Sequence, residues 1–141
     1  MDFFTAFNIS ASALSAQRIR MNVVSSNLAN INSTETPEGG PYRRKDVVFS
    51  ASPAPASFQE VLKDKLNEVN VVEIVDDSRP FKTVYDPYHP SADQNGYVSY
   101  PNVNVVEEMV NIMSATRSYE ANVSVIKATK SMAQKALDIG R

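Results

Sequence analysis

The sequence predicts a mainly α chain with a small β-rich insert: long N- and C-terminal helices packed as an antiparallel coiled-coil-like pair, and a middle module of short strands and loops. Three observations carry this expectation. Apolar residues recur every three and four positions at both ends; the segment between is broken by proline and glycine; and that segment holds short β-branched and aromatic runs. The expected division is 1–34 for the first helical part, 35–101 for the middle module and 102–141 for the second helical part.

Over residues 3–30 the series Phe4, Phe7, Ala11, Leu14, Arg18, Met21, Ser25 and Leu28 alternates spacings of three and four. Between these positions lie Ala6, Ser10, Ser12, Ala13, Ser15 and Ala16, which make a thin helix that neighbours can approach closely. Arg18 and Arg20 are the only charged residues between Asp2 and Glu35. Such a helix suits surroundings of protein rather than water. Asn27, Asn30 and Asn32, among three serines, compete with the backbone for hydrogen bonds and end it. We assign these asparagines to fixing the helix end and to polar contacts with neighbours.

Pro37, Gly39, Gly40 and Pro41 make the next stretch a loop, followed by the basic triplet Arg43, Arg44 and Lys45, which reads as a solvated run of charge. Val47, Val48 and Phe49 form a short strand candidate. Residues 50–57, with Pro53 and Pro55, read as a linker, and Phe58, Val61, Leu62, Leu66 and Val69 recur at helical spacing. Residues 71–75, 81–85 and 97–100 are predicted strands, with extended loop over 86–90 and a turn at Asn95-Gly96.

The C-terminal stretch organises the chain. Val105, Met109, Ile112, Thr116, Tyr119, Val123, Ile126, Lys130, Ala133 and Leu137 form a seam in which only Thr116 and Lys130 are not apolar. Asn104 and Glu107 make a capping pair, Glu107 and Glu108 suit the positive end of the dipole, and Gly140 supplies the stop. Val106, Val110, Met113 and Val125 lie beside the seam, so the apolar surface is wider than one partner helix covers. The terminal helices are expected to pack on each other and on neighbouring molecules.

A formal net charge of -2 disfavours non-specific binding to nucleic acid. No cysteine is present, which removes disulfides and thiolate metal sites. No apolar run reaches the length of a transmembrane helix, and the first residues lack the pattern of a cleaved secretory signal; a chain of this kind that leaves the cytoplasm is expected to do so by another route. His89, the single histidine, can be drawn with Asp86 and Asp93 as a metal or acid/base set, but the proline-rich loop offers no spacing to aim them. No nucleophile elbow or phosphate-binding glycine loop occurs. The expectation is no enzyme, no cofactor, no metal and no small-molecule substrate.

The run Ser26-Asn27-Leu28-Ala29-Asn30-Ile31-Asn32, following Ala13 and Gln17-Arg18, resembles the N-terminal signature of flagellar rod and hook proteins. The later motifs, Val84-Tyr85-Asp86-Pro87, His89-Pro90, Asp93-Gln94-Asn95-Gly96-Tyr97-Val98, Pro101-Asn102-Val103-Asn104-Val105-Val106-Glu107-Glu108-Met109-Val110 and Ser114-Ala115-Thr116-Arg117-Ser118-Tyr119-Glu120-Ala121-Asn122, are similar to the proximal rod proteins of the flagellar basal body. Residues 50–70 match nothing in that pattern. The resemblance implies a structural subunit that passes unfolded through the flagellar type III export apparatus and joins other rod proteins in a helical polymer crossing the periplasm. It also implies that the terminal helices form an inner domain around an export channel. Competing readings are a soluble helical adaptor of fixed small stoichiometry and a membrane-surface protein inserting Phe3, Phe4 and Phe7.

Overall fold

The computed structural model describes residues 3–53 and 67–140. Helix α1 (Phe3–Ala29) is followed by strands β1 (Lys45–Pro53), β2 (Asn67–Asp76), β3 (Lys82–Tyr85) and β4 (Tyr97–Tyr100), then helix α2 (Val105–Ile139). Both ends are therefore long helices, and the middle holds two separate two-stranded sheets, β1–β2 and β3–β4, each antiparallel.

α1 runs unbroken because its 27 residues contain no proline or glycine. It stops where asparagine side chains replace the helical ladder. Asn30 Nδ2 donates to the Ser26 carbonyl at 2.9 Å, and Ser33 Oγ donates to Asn30 Oδ1 at 3.2 Å. α2 is 35 residues long, about 50 Å at the helical rise. Asn104, with φ −109° and ψ 118°, caps it by accepting from the N–H groups of Val106 and Glu107. One terminal expectation is corrected: the Glu107 side chain does not return to the cap but pairs with Arg79. Gly140 stops α2 as expected, at φ −83°, its N–H donating to the Leu137 carbonyl.

Other boundaries also shift. β1 continues through Ser50 to Pro53, where a linker was expected, because strand pairing with β2 supplies the hydrogen bonds that the local sequence does not signal. Val69 lies in β2 rather than in a helix; the rest of the expected short helix falls outside the described residues. Val48 pairs with Glu73 and Phe49 with Val71, so Val72 is an extra residue that bulges β2. The Val69 N–H donates to Ser12 Oγ at 3.2 Å, fastening this ribbon to α1.

The covered face of α2 is turned from the predicted seam. Ile112, Tyr119, Val123, Ile126 and Ala133 are half-buried, but Val105, Met109, Thr116, Lys130 and Leu137 are exposed, and the fully buried residues are Glu108, Ala115 and Thr129. The reason is electrostatic as well as steric: Glu108 is drawn inward by Arg44 and Asn27, and small side chains fill the covered positions. Cross-helix contacts join Asn27 to Glu108, Arg20 Nη2 to Asn111 Oδ1 at 3.4 Å and Thr116 Oγ1 to Met21 Sδ at 3.8 Å.

Among the described residues, Pro101 aside, only Ala16, Val24, Val98 and Ala115 are buried apolar residues. The accessible surface is 10007 Å², whereas a compact monomer of this mass exposes about 7200 Å². The chain thus buries far less than a self-sufficient domain.

The β3–β4 hairpin pairs Tyr85 with Tyr97, their rings edge to face at 5.3 Å. Gly96 at φ +80° makes the turn back into β4, and an added Cβ would lie 2.9 Å from the Tyr85 ring and 3.1 Å from Pro87 Cβ. Gly96→Ala is expected to cost about 1–2 kcal/mol, read as a lowered melting temperature with faster amide exchange confined to β3 and β4.

A buried polar junction and an exposed helical stripe

The end of α1, the start of α2 and the turn after β2 meet at a cluster of polar side chains. Arg44, which the basic triplet suggested was solvated, is 4% exposed. Its Nε donates to Glu108 Oε1 at 2.8 Å, and its Nη1 donates to Asp46 Oδ2 at 3.0 Å and Asp77 Oδ2 at 3.2 Å. Such a forked, charge-assisted set is what makes a buried guanidinium tolerable. Its companion Arg43 stacks over the Phe81 ring at 4.4 Å and donates to the Asp77 carbonyl.

Asn27 is fully buried and uses every hydrogen-bonding position it has. Nδ2 donates to the Lys45 carbonyl at 2.8 Å and to Glu108 Oε2 at 2.9 Å; Oδ1 accepts from the Lys45 N–H and the Tyr42 hydroxyl, each at 3.0 Å. The amide thus imitates a strand neighbour for Lys45 while holding α2 through Glu108. This corrects the expectation that Asn27 contacts neighbouring molecules, since no part of it is accessible. Asn30 serves the helix end, and Asn32 is exposed.

Asn102 extends the junction, accepting from the Arg44 N–H at 2.8 Å and donating to the carbonyls of Asp77 and Arg79. Arg79 reaches Asp77 at 2.7 Å and both carboxylate oxygens of Glu107 at 2.9 and 3.3 Å. The Asp77 carboxyl is held below the usual carboxylate range, chiefly by its hydrogen bond from Arg79, against the opposing effect of burial. A depressed folded-state pKa stabilises the fold above the unfolded value of about 4, and that stability is lost as pH falls through the lower folded value. Unfolding titrations from pH 6 to pH 3 should show wild type losing stability at the acid end and Asp77→Asn, less stable at pH 6, showing a smaller decline.

Outside this cluster, the expected interface positions divide. On α1, Phe4, Phe7, Ala11 and Arg18 are exposed, whereas Leu14, Met21 and Leu28 are partly covered. On α2, Val106 is 69%, Met109 53%, Val110 61% and Met113 54% exposed. Spaced i, i+3, i+4 and i+7, these four form one apolar stripe facing away from α1. Val105 and Leu137 are also exposed; Ile112, Tyr119, Val123, Ile126 and Ala133 are the residues turned toward cover.

Asp86, His89 and Asp93 are occupied in turns. They accept from the backbone N–H groups of Tyr88, Ser91, Asn95 and Tyr97. Among the described residues no group of three acidic or imidazole side chains is placed to hold a metal, and no helix is long and apolar enough to cross a membrane.

Sequence reasoning missed Arg44, Asp77, Arg79, Asn102 and Glu108 as a unit. Their separation along the chain gives no local pattern, and Glu108 read as one of two acids suited to the helix dipole, with nothing in the sequence to mark it as the buried one.

Two long helices with a thin core, a small β insert and an uncovered apolar stripe define an elongated structural subunit. Residues 7–36 match the family described as flagella basal body rod protein, and residues 94–139 match the C-terminal family of flagellar basal body rod FlgEFG proteins. The chain is similar to the flagellar basal-body rod protein FlgC of Salmonella typhimurium and to that of Bacillus subtilis, each 47% identical over the whole of both chains. It is similar also to FlgC of Borreliella burgdorferi, 43% identical over 99% of this chain and 98% of the relative. The chain belongs to the FlgC family of flagellar basal-body rod proteins.

Proposed function

We propose that the chain is a structural subunit of the flagellar basal-body rod, polymerising through its terminal helices with copies of itself and other rod proteins, and that it catalyses no reaction. The stripe of Val106, Met109, Val110 and Met113 carries this reading, because four large apolar side chains on one helix face are all more than half exposed among the described residues. Neighbouring subunits supply it.

α1 and α2 act as an antiparallel coiled-coil-like pair. Asn27 against Glu108 and Met21 against Thr116 support this, since residue numbers fall along one helix as they rise along the other. The pair, residues 1–34 and 102–141, forms the inner domain around an export channel, and residues 35–101 lie outside it. Contacts between different faces of successive subunits do not close, so they generate a helical tube, and interlocked helices resist the twist applied by a motor. Passage in unfolded form through the flagellar type III export apparatus, to a rod crossing the periplasm, agrees with the few small apolar residues buried among the described ones, a core that resists unfolding weakly.

Light scattering on the purified chain, alone and mixed with other rod proteins, tests the reading. Continued growth with concentration is expected, with both chain ends becoming resistant to protease as growth proceeds. A complex of fixed small size, or ends equally protected in the dilute monomer, would overturn it.

A further inference from the structure

A groove of about 880 Å³ runs between α1 and the β1–β2 ribbon. Ile19, Val23 and Ile74 give it an apolar floor, and Ile74 is 46% exposed. Its rim carries Glu38, Glu73 and Asp76 against one cation, Lys45, a balance of one positive to three negative charges. None of these four takes part in an ion pair among the described residues.

The last turns of α2 have the opposite character. From residue 127 to 139 they bear Lys127, Lys130 and Lys135 against Asp138 alone. Met132 is 62% and Ile139 86% exposed. Met132, Lys135 and Ile139, spaced i, i+3 and i+7, share one helix face, apolar at both ends with a cation between. That face does not reach the groove of its own chain: Thr116 lies beside Met21 near the groove, and Met132 is 16 residues further along α2, roughly 24 Å away along the axis.

We propose that the C-terminal turns of α2 dock in the α1–β2 groove of a second copy of this chain, Met132 and Ile139 on the apolar floor and Lys135 against Glu73 and Asp76. This rests on the rod reading and names one of its contacts. A second copy is the occupant because acidic groove and basic, apolar helix end are complementary and belong to the same chain, on surfaces too far apart to meet within it. Two different patches meeting head to tail make a heterologous contact, which propagates rather than closing as a dimer. Charge complementarity across the rim sets the register, and the apolar floor supplies most of the attachment.

The natural chain has no cysteine, so every disulfide formed by a variant reports an introduced pair. Full-length Ile74→Cys and Ile139→Cys chains, tagged differently and produced together in a flagellated cell lacking the natural gene, are expected to give a mixed disulfide dimer on mild oxidation. One chain carrying both substitutions should give a ladder. Glu73→Lys with Asp76→Lys should lower the mixed product about tenfold, Lys135→Glu should do likewise, and combining all three should restore it. Swimming cells that form no 74–139 product, a cross-link from Ile139→Cys to a different protein, or charge swaps that fail to restore the product would overturn the docking while leaving the rod reading in place. Cells without the chain that still build a rod and swim would overturn the rod reading itself. Should the cysteine variants not swim, sedimentation of the charge-swapped chains decides: restored association supports the docking and absent restoration overturns it.

Discussion

Arg44→Ala is expected to destabilise the chain by about 3–5 kcal/mol, the cost of removing one partner from a buried ion pair. Glu108 would keep hydrogen bonds from Asn27 and Asn111 but lose the one cation it pairs with among the described residues, while being fully buried. Asp46 and Asp77 would lose the guanidinium that draws them to the same point. A small domain is stable by only about 5–15 kcal/mol, and the described residues of this one hold few and small buried apolar side chains to draw on. The variant should therefore unfold in much less urea, and limited proteolysis should cut first between α1 and β1. Arg44→Lys should recover only part of the loss, since an ammonium cannot present Nε and Nη1 to two carboxylates at once. Replacing Arg44 by Met together with Glu108 by Leu should restore more, because it removes both charges and keeps the volume. If Arg44→Ala melts like wild type, the junction does not hold the helices to the β module.

Val110→Lys with Met113→Lys should act the other way, sparing the monomer and abolishing assembly. Both positions are more than half exposed, and surface changes of this kind usually shift stability by within about 0.5 kcal/mol. In the proposed polymer the same side chains would be covered. Each lost Val or Met contact is worth about 1.5–3 kcal/mol when fully buried, so association should weaken on the order of 10²–10⁴-fold. Sedimentation of the purified variant and a motility assay measure it. Assembly equal to wild type would remove the α2 stripe from the interface.

The contrast between these variants shows which parts of the molecule were open to reading from its residues. Helical spacing located α1 and α2 to within a residue or two, Asn104 announced the start of α2, and Asn95-Gly96 announced the β3–β4 turn. Those features depend on neighbours in the chain. The extent of β1 did not, because Ser50 to Pro53 is held by residues 67–71 of β2, and pairing across a long connection leaves no local trace. The same holds for the orientation of α2. A seam drawn through the most apolar residues took in Met109 and Leu137 as interface positions without saying which partner would cover them, whereas Glu108 and Thr129 occupy the face covered within the chain. Apolar periodicity reports every surface that will lie against protein, within the chain or between chains, and cannot distinguish them. The seam residues of α2 left exposed, Val105, Met109 and Leu137 among them, are the ones available to a neighbour.

By itself the sequence determined two long terminal helices, a β-rich insert and membership of a rod family, because these follow from residue spacing and long local motifs. The tertiary structure alone decided that Arg44 is a buried tie rather than a surface charge, that Asn27 closes the junction from within, and which face of α2 remains uncovered. A hydrogen bond between Asn27 and Glu108 spans 81 residues, and the burial that gives it its strength exists only once three distant segments have come together.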